Sequence, residues 1–413
     1  MTDQKSHIAF LLPVYAGGGA ERVTETVALA LEATGHYKVT ILVWRADPGL
    51  VDTARSKGLD IVRLPCPESA TDLELYRTPQ LTDHVGHLLA DGGYTALIMA
   101  MVPLEHIDRL RSIAPNCKLI FHHHGVPLYE VKEKLVMKAA KSSPILAAWR
   151  AMRERIIHKY RRQFAARYKA IYHDMDSVVV LCDAYRRQME HIVGADHATS
   201  RIVALYNPLS TQQPATDSAV GYGHARTRCL KTAHSDKTVL FVGRLSYTDK
   251  RVDRLLRIWA MVAPQHPGWT LKIVGDGPER ANLEALAQQL GITGSIQFCG
   301  YSANTAPYYS EASILCLTSE FEGWGMVLAE AQANGVWPIA FNVSAGVEEL
   351  IGTDATRGTL VKPYSEKAYA SALSALMADP ARLDAMRPAM IASTRRYTPT
   401  AIANAWHRYL TSL

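Results

Sequence analysis

The sequence predicts an α/β protein built from two doubly wound parallel-sheet domains. Short apolar runs rich in Val, Ile and Leu alternate with segments of helical periodicity, and the alternation occurs in two successive series. Strands of this kind are buried on both faces of a parallel sheet. In such sheets ligands bind beyond the carboxyl ends of the strands, so the loops that follow the strands are the candidate binding loops of two domains facing a central cleft.

The first series forms a predicted N-terminal domain over residues 1–208. Asn207 and Pro208 end its last strand. Helices are predicted at residues 21–33 and 73–90. The predicted strands are residues 7–14, 38–44, 60–64, 94–101, 118–121, 177–181 and 201–206.

The second series forms a predicted C-terminal domain over residues 237–390. Residues 209–236 are polar, with Pro, Gly, Ser and Thr throughout, which predicts a linker or a mobile insertion. Residues 365–413 are predicted as successive helices broken at Pro380 and Pro399, and 391–413 as a tail that packs back on the N-terminal domain. The predicted strands are 238–242, 270–274, 295–298, 314–317 and 337–341, and the predicted helices are 252–262, 279–290 and 327–334.

Composition excludes several protein classes. Apolar residues make up 48% of the chain and charged residues 20%, which excludes a mainly disordered or fibrous protein. The six cysteines form no C-x-x-C pair, so we expect neither a disulfide framework nor a zinc site. No apolar run approaches the roughly 18 residues of a membrane span. Pro13 also breaks the apolar stretch that resembles a short signal peptide, so we expect a cytoplasmic protein.

The strongest chemical signal lies directly after the predicted strand 314–317. Gly323 and Gly325 allow the backbone to approach a ligand closely. The free amides and the dipole of the helix that follows form a seat for a phosphate. Glu322 stands at this seat and Glu330 eight positions later, although each taken singly could be a helix cap or a solvated side chain. The amides concerned are those of Gly325, Met326 and Val327.

The spacing of Glu322 and Glu330 resembles the EX7E motif of the family 4 retaining glycosyltransferases, which have the GT-B fold. Arg244 and Lys250, after the first strand of the second series, are similar to the family's G-R-L…K segment. The resemblance covers most of the chain and implies that these two cations bind the diphosphate of the donor. A nucleotide-sugar diphosphate carries about two negative charges, which suits an Arg fork and a Lys ammonium. Arg251 stands where the family usually has glycine.

The resemblance implies further donor-site residues. Glu322 would contact the hydroxyls of the donor sugar, and Glu330 those of the ribose. A G-x-G-P turn that contains Gly277 and Pro278 would line the nucleotide pocket; it lacks the third glycine of a dinucleotide-binding fingerprint, which disfavours a dehydrogenase. In the first domain, the G-G-x-E-R loop would place its amides against the donor phosphates and sugar. The residues concerned are Gly18 and Gly19.

Three consecutive histidines, residues 122–124, follow a predicted strand. Neighbouring side chains of an extended segment point to opposite faces, and no second cluster has ligand spacing, so no metal site is expected. The resemblance implies that His124, three residues before Pro127, contacts the donor sugar or the acceptor. His122 would share the same face and is the alternative.

The implied activity is transfer of a hexosyl unit from a nucleotide diphosphate sugar to a hydroxyl of a saccharide acceptor. The acceptor would be lipid-linked, and the reaction would serve the synthesis of cell-surface polysaccharide or lipopolysaccharide. The nucleotide sugar would be the co-substrate, with no metal or other cofactor. No side chain is placed as a general base, and the family is thought to use a donor phosphate oxygen. Two alternatives share the architecture: a sugar-nucleotide epimerase and a non-catalytic sugar-nucleotide-binding homologue.

Residues 129–170 concentrate the positive charge of the chain. Twelve Lys or Arg and three Glu give this segment a net charge of +9, whereas the whole chain carries +6. Interleaved apolar residues predict an amphipathic helix pair broken near Pro144. Such a surface would attach to the anionic inner face of the cell membrane and bring a lipid-linked acceptor to the site. The alternatives are an ordinary basic helix face or nucleic acid, for which no recognised binding module is present.

Overall fold

A computed structural model describes residues 5–131, 146–209 and 237–413, with only the backbone described at 72–73 and 146–154. The chain divides into two compact units. The first combines Met1–Pro208 with Pro399–Leu413, and the second is Leu209–Thr398. The division falls after Thr398, whereas the sequence placed it after residue 390. The predicted linker 209–236 lies outside the described residues except for Leu209.

In the described residues of the first unit, seven parallel strands form one sheet. Its strands are β1 (Ser6–Tyr15), β2 (Tyr37–Ala46), β3 (Asp60–Arg63), β4 (Tyr94–Ala100), β5 (Lys118–His123), β6 (Ser177–Val180) and β7 (Ile202–Ala204). Their order is β3-β2-β1-β4-β5-β6-β7, so β1 pairs with β2 on one side and β4 on the other. All seven predicted strands are present, which confirms those predictions. The central strands are buried on both faces, whereas β3 at the edge of the sheet exposes Asp60 and Arg63.

Helices cover this sheet, and one of them departs from the sequence prediction. The helices are α1 (Gly19–Ala33), α2 (Pro48–Ser56), α3 (Asp72–Arg77), α4 (Pro79–Asp91), α5 (Ile107–Ile113), α6 (Leu146–Asp174) and α7 (Asp183–Val193). The single helix predicted at 73–90 is wrong, because α3 and α4 are separate. Pro79 forces Thr78 into an extended conformation (ψ 115°) and begins the second helix.

The second unit contains, in its described part, a sheet of six parallel strands. They are β8 (Thr238–Val242), β9 (Thr270–Val274), β10 (Ile296–Gly300), β11 (Ile314–Leu317), β12 (Trp337–Phe341) and β13 (Thr359–Val361). Their order is β10-β9-β8-β11-β12-β13. Strand β13 was not predicted, because a run of three residues is too short to distinguish from a loop.

The three helices predicted within the second unit are found within one residue of their predicted bounds, whereas α10 and α12 were not predicted. They are α8 (Val252–Val262), α9 (Arg280–Gln289), α10 (Ala306–Glu311), α11 (Met326–Ala333), α12 (Ala345–Ile351), α13 (Glu366–Ala378) and α14 (Pro380–Ser393). The breaks predicted at Pro380 and Pro399 are confirmed, since each proline begins a helix.

The final helix, α15 (Pro399–Leu410), belongs to the first unit. It packs on α1, and its fully buried Trp406 meets Phe10 of β1 with ring centroids 6.0 Å apart. The Tyr37 hydroxyl and His407 Nδ1 are 3.0 Å apart and tie the same helix to β2.

Each sheet reverses its winding at one place. In the first unit this is between β1 and β4, and in the second between β8 and β11. The chain leaves the two strands on either side of such a point in opposite directions and opens a crevice beyond their carboxyl ends. In the second unit the loops around this crevice are residues 243–251 and 318–325.

Candidate functional site

The two loops at the crevice of the second unit are fastened to each other. The Glu320 amide donates to the Asp249 carbonyl (2.6 Å), and the Thr318 hydroxyl donates to the Arg251 carbonyl (3.1 Å). The Arg254 guanidinium lies 2.6 Å from the Glu320 carboxylate, and both side chains are nearly buried. The backbone positions on which the site depends are therefore fixed before any ligand binds.

Lys250 and Glu322 form an ion pair between these loops. Lys250 Nζ lies 2.7 Å from Glu322 Oε2, with side-chain exposures of 20% and 13%. The Ser319 hydroxyl donates to the same carboxylate oxygen (3.3 Å). Burial works against the charge of Lys250, but the Glu322 carboxylate outweighs it and raises the lysine pKa above its ordinary value. Lys250 is therefore a firmly charged cation at neutral pH.

Arg244 follows β8 directly and reaches towards solvent. Its side chain is 67% exposed and makes a loose ion pair of 3.3 Å with Asp249 Oδ2. The Asp249 carboxylate is held by the Ser246 hydroxyl. This loop therefore carries one exposed cation, Arg244, and one nearly buried cation, Lys250.

Arg251 occupies a backbone conformation that normally favours glycine. Its φ of 49° and ψ of 49° lie in the left-handed region, which disfavours a side chain by about 1–2 kcal/mol. Its guanidinium pairs with Asp253 at 2.9 Å and stacks over the Tyr247 ring at 4.3 Å. These contacts offset the strain and explain how arginine replaces the usual glycine of the resembling family.

The glycine turn after β9 holds the loop after β8. A Cβ on Gly275 would lie 1.9 Å from the Gly243 carbonyl oxygen, and one on Gly277 would lie 2.4 Å from that of Leu245. The Leu245 amide also donates to the Asp276 carbonyl (2.9 Å). Glycine is required here for close approach of two backbones. The nucleotide-lining role predicted for Gly277 and Pro278 stays a prediction.

The helix predicted after the E-G-x-G sequence is α11. Gly325 precedes it with a φ of 79°, which favours glycine, and a Cβ there would come within 2.8 Å of Leu328 Cδ1. The first-turn amides of an α-helix have no partner within the helix, so Met326 and Val327 begin the predicted phosphate seat. Trp324 is buried against Tyr397, with ring centroids 5.7 Å apart.

Glu330 lies in α11, where its carboxylate receives a hydrogen bond that the sequence did not predict. The Tyr309 hydroxyl donates to Glu330 Oε2 at 2.8 Å. Tyr309 belongs to α10 and is fully buried. No motif marks Tyr309, so only the folded chain reveals the pair.

In the first unit the predicted glycine loop binds a carboxylate of its own. Gly18 is the N-cap of α1, and its amide donates to Glu21 Oε2 (2.9 Å) together with that of Ala16 (2.6 Å). A donor phosphate at Gly18 would therefore compete with Glu21. The Gly19 position is open, since a Cβ there would meet nothing within 4 Å.

The three histidines divide between two faces of β5, as the alternation predicts. His122 and His124 share one face with ring centroids 3.9 Å apart, and His123 on the other accepts or donates at 2.8 Å with the Tyr168 hydroxyl. His122 is buried beneath Trp406 (centroids 5.3 Å), whereas His124 is half-buried. Of the two alternatives, His124 is thus the more accessible side chain.

One residue of the crevice in the first unit was missed. Met101 follows β4 with a φ of 75° and exposes 46% of its surface. Its amide donates to the His122 carbonyl (3.1 Å), which fixes this strained conformation. The sequence placed Met101 inside a strand, because nothing in its side chain signals a left-handed backbone.

Two properties concern the described residues as a whole. No group of three His, Cys, Asp or Glu side chains among them could hold a metal ion. Nor does any helix within these residues have the length and apolar character needed to cross a membrane.

Comparison with known families assigns both units. Residues 18–208 match the family described as "Glycosyl transferase 4-like domain", and residues 228–396 match "Glycosyl transferases group 1". Together these matches contain every site residue described above. The chain belongs to the GT-B glycosyltransferases of family 4.

Relatives of this glycosyltransferase chain act in bacterial polysaccharide synthesis. It is 33% identical to the amylovoran biosynthesis glycosyltransferase AmsD of Erwinia amylovora, over 43% of this chain and 49% of that one. It is 32% identical to the lipopolysaccharide core biosynthesis glycosyltransferase LpsE of Rhizobium meliloti, over 27% and 33% respectively. With the exopolysaccharide phosphotransferase SCO2592 of Streptomyces coelicolor it shares 31% identity over 58% of this chain and 24% of that one. The chain thus spans less than half the length of these curated relatives.

Solved glycosyltransferase structures share the fold. Anabaena Alr3699/HepE in complex with UDP and glucose aligns with a TM-score of 0.70 at 17% identity, covering 99% of this chain and 100% of the other. WaaG, a glycosyltransferase involved in lipopolysaccharide biosynthesis, aligns with a TM-score of 0.66 at 18% identity, covering 98% and 100%. The GT-B fold class predicted from the sequence is confirmed.

Proposed function

We propose that the protein transfers a hexosyl unit from a nucleotide diphosphate sugar to a hydroxyl of a saccharide acceptor and retains the anomeric configuration. One observation carries the proposal. Lys250 in the loop after β8 and Glu322 in the loop after β11 lie within 2.7 Å of each other. Arg244 lies on the same loop as Lys250, and the loop that carries Glu322 leads into α11. Two cations and a helix N-terminus form an anion site, and the adjacent carboxylate supplies an acceptor for sugar hydroxyls.

The residues of the second unit divide the chemical work. As the bond from the sugar C1 to the diphosphate oxygen breaks, negative charge develops on the diphosphate, and Arg244, Lys250 and the α11 amides stabilise it. Removing one such donor typically raises the barrier by about 3–4 kcal/mol. The new bond forms between C1 and the acceptor oxygen, and the acceptor proton moves to a phosphate oxygen of the leaving group. No metal is required, because these groups supply the positive charge.

Two carboxylates and a histidine hold the substrates in this proposal. Glu322 accepts hydrogen bonds from hydroxyls of the donor sugar, and Glu330 from those of the ribose. In the first unit, His124 contacts the donor sugar or the acceptor through a neutral imidazole, because burial and then the charge of His123 lower its pKa to about 3. A neutral ring can accept a hydrogen bond as well as donate one.

The acceptor is proposed to be a lipid-linked saccharide at the inner face of the cell membrane. Helix α6 supports this through the distribution of its side chains. Ile156, Ile157 and Phe164 are half-buried, while six cations along the same helix are exposed. Within the described residues none of the six forms an ion pair. Each cation near anionic lipid contributes about 1 kcal/mol. The cations are Arg155, Lys159, Arg161, Arg162, Arg167 and Lys169.

The activity is tested by a donor screen followed by product analysis. UDP-, GDP- and ADP-sugars are compared for protection against thermal unfolding, since a ligand stabilises by RT ln(1 + [L]/Kd). The protective donor is then incubated with a saccharide acceptor. An α-linked donor should give an α-glycoside, recognised from the NMR coupling of its anomeric proton. A β-linked product would overturn retention, a changed sugar without transfer would identify an epimerase, and binding without turnover would identify a non-catalytic homologue.

Membrane attachment is tested by sedimentation with vesicles. Binding should require anionic lipid and weaken at high salt. Lys159→Gln/Arg162→Gln should reduce binding, whereas Lys367→Gln/Arg382→Gln, which removes two exposed cations from the second unit, should not. Indifference to lipid charge and salt would leave a soluble acceptor as the better assignment.

A further inference from the structure

Tyr309 lies in the six-residue helix α10, outside every motif of the donor site, yet its hydroxyl contacts one of the proposed binding groups. The hydroxyl is 2.8 Å from Glu330 Oε2 and 3.5 Å from the Val327 carbonyl, both in α11. The side chain is fully buried, so α10 holds the phenol in one place. Glu330 therefore receives a directional hydrogen bond from a rigid donor.

The polarity of this contact is fixed. Burial, followed by the negative charge of Glu330, raises the pKa of Tyr309 well above its ordinary value. The phenol stays protonated, so its O–H donates the hydrogen bond and the Glu330 carboxylate accepts it. A glutamate side chain would otherwise have to be immobilised by its ligand, and the entropy of that immobilisation opposes binding.

We infer that Tyr309 is a positioning residue for ribose recognition: its hydroxyl holds the Glu330 carboxylate in the orientation that accepts hydrogen bonds from the vicinal hydroxyls of the donor's ribose. A carboxylate has two oxygens with about four acceptor directions, and the phenol takes one of them. Tyr309 thereby determines where the remaining acceptor lone pairs of the Glu330 carboxylate point. The inference rests on the proposed function, in which Glu330 binds ribose. Tyr309 is then the residue that, by orienting Glu330, makes nucleotide binding selective for ribonucleotides.

A purely structural role makes a different prediction. If Tyr309 served only to fill and satisfy the interior, its loss would weaken all ligands of the second unit equally. If it orients Glu330, its loss weakens only ligands that carry the ribose hydroxyls. The affinity ratio between a nucleoside diphosphate and its 2′,3′-dideoxy counterpart, which lacks both hydroxyls, separates the two roles.

The experiment measures this ratio by calorimetry for whichever of UDP, GDP or ADP binds the intact protein most tightly. Tyr309→Phe removes only the hydroxyl, and we expect the ribonucleotide affinity to fall about tenfold, the value of one good hydrogen bond, while the affinity of the 2′,3′-dideoxy form is unchanged. Glu330→Gln should lower the same ratio. The double variant should lose no more than Glu330→Gln alone, because the two residues act as a unit.

Tyr369→Phe is the matched control. Tyr369 is also fully buried in the second unit, but its hydroxyl donates to the Ile339 carbonyl at 2.6 Å. Its loss should leave the ratio unchanged. An equal loss for ribonucleotide and dideoxynucleotide in Tyr309→Phe would overturn the inference while leaving the proposed function intact. An unchanged ratio in Glu330→Gln would overturn the inference together with the ribose-binding role proposed for Glu330. If the unmodified protein binds none of the three nucleotides, the proposed function fails and the inference fails with it.

Discussion

Lys250 and Glu322 stand 72 positions apart in the sequence, and their charged atoms are 2.7 Å apart in the folded chain. The carboxylate neutralises a nearly buried ammonium that would otherwise be costly to desolvate. A diphosphate arriving beside Lys250 meets a cation whose charge is already partly compensated. In the proposed function, Glu322 would therefore lower the affinity of the site for an anion and also accept hydrogen bonds from sugar hydroxyls.

Removing the cations should abolish most turnover while the fold persists. Arg244→Ala and Lys250→Ala should each lower kcat by about two orders of magnitude, because each removes a group that stabilises charge on the diphosphate. Steady-state kinetics with the donor from the screen measures this, with thermal unfolding as the check on folding. Rates close to those of the unmodified protein in both variants would mean that the donor site lies elsewhere.

Glu322→Gln should separate binding from catalysis. Without the carboxylate, Lys250 loses the partner that raises its pKa and presents an uncompensated charge to phosphate. We expect the nucleoside diphosphate product to bind more tightly and kcat to fall. Calorimetry with the product and initial-rate kinetics provide the two readouts. Weaker product binding would show that Glu322 does not oppose the anion.

The glycine turn offers a test of backbone packing. Gly275→Ala should destabilise the second unit by about 2 kcal/mol or more, since its Cβ would lie 1.9 Å from the Gly243 carbonyl oxygen and its φ is 139°. Gly294→Ala is the control, because a Cβ there meets nothing within 4 Å. Denaturant unfolding compares the two. Equal stability would mean that the loop after β8 moves freely away from the turn.

Trp406 should stabilise the first unit although it lies near the end of the chain. Trp406→Ala removes a fully buried ring from between Phe10 and His122 and should cost about 3–5 kcal/mol. Trp406→Phe should cost less, because the buried indole N–H has no hydrogen-bond partner among the described residues. Nucleotide affinity, which the proposed function places in the second unit, serves as the internal control. An unchanged unfolding midpoint in the alanine variant would contradict this packing.

Acid should destabilise the first unit through its buried histidines. Burial lowers the pKa of His123 to about 4 and, with the charge of His123, that of His124 to about 3. Below about pH 6.5 the unfolded chain binds protons that the folded chain does not, so the free energy of unfolding falls by up to about 1.4 kcal/mol per pH unit for each histidine. Above that pH these groups contribute no dependence. The loss continues down to the folded pKa values.

Unfolding midpoints between about pH 7 and pH 5 measure this effect. His124→Asn should make the dependence shallower. His173→Asn replaces a histidine that is 89% exposed and should leave the dependence unchanged. The same pH dependence in both variants would exclude His124 as a source.

The sequence was sufficient for features that depend on neighbouring residues. A strand buried on both faces needs a continuous apolar run, and β8, β9, β11 and β12 begin and end at the predicted residues for that reason. A loop that bends sharply needs glycine, so the glycines of the sequence predict the turn at Gly325. Pro79 marks the boundary between α3 and α4, although helical periodicity continues across it and predicts a single helix.

Tertiary structure decided the contacts that close the site. Tyr309 and Glu330 are 21 positions apart, and no local pattern brings a tyrosine of one helix to a glutamate of another. The left-handed conformation of Arg251 and the choice between His122 and His124 likewise follow from partners such as Asp253 and Trp406. A strand or a turn is stabilised largely by its own residues and can be read from them. A hydrogen bond or ring contact between residues far apart in the sequence depends on how the helices and strands pack together, and that is a property of the whole fold.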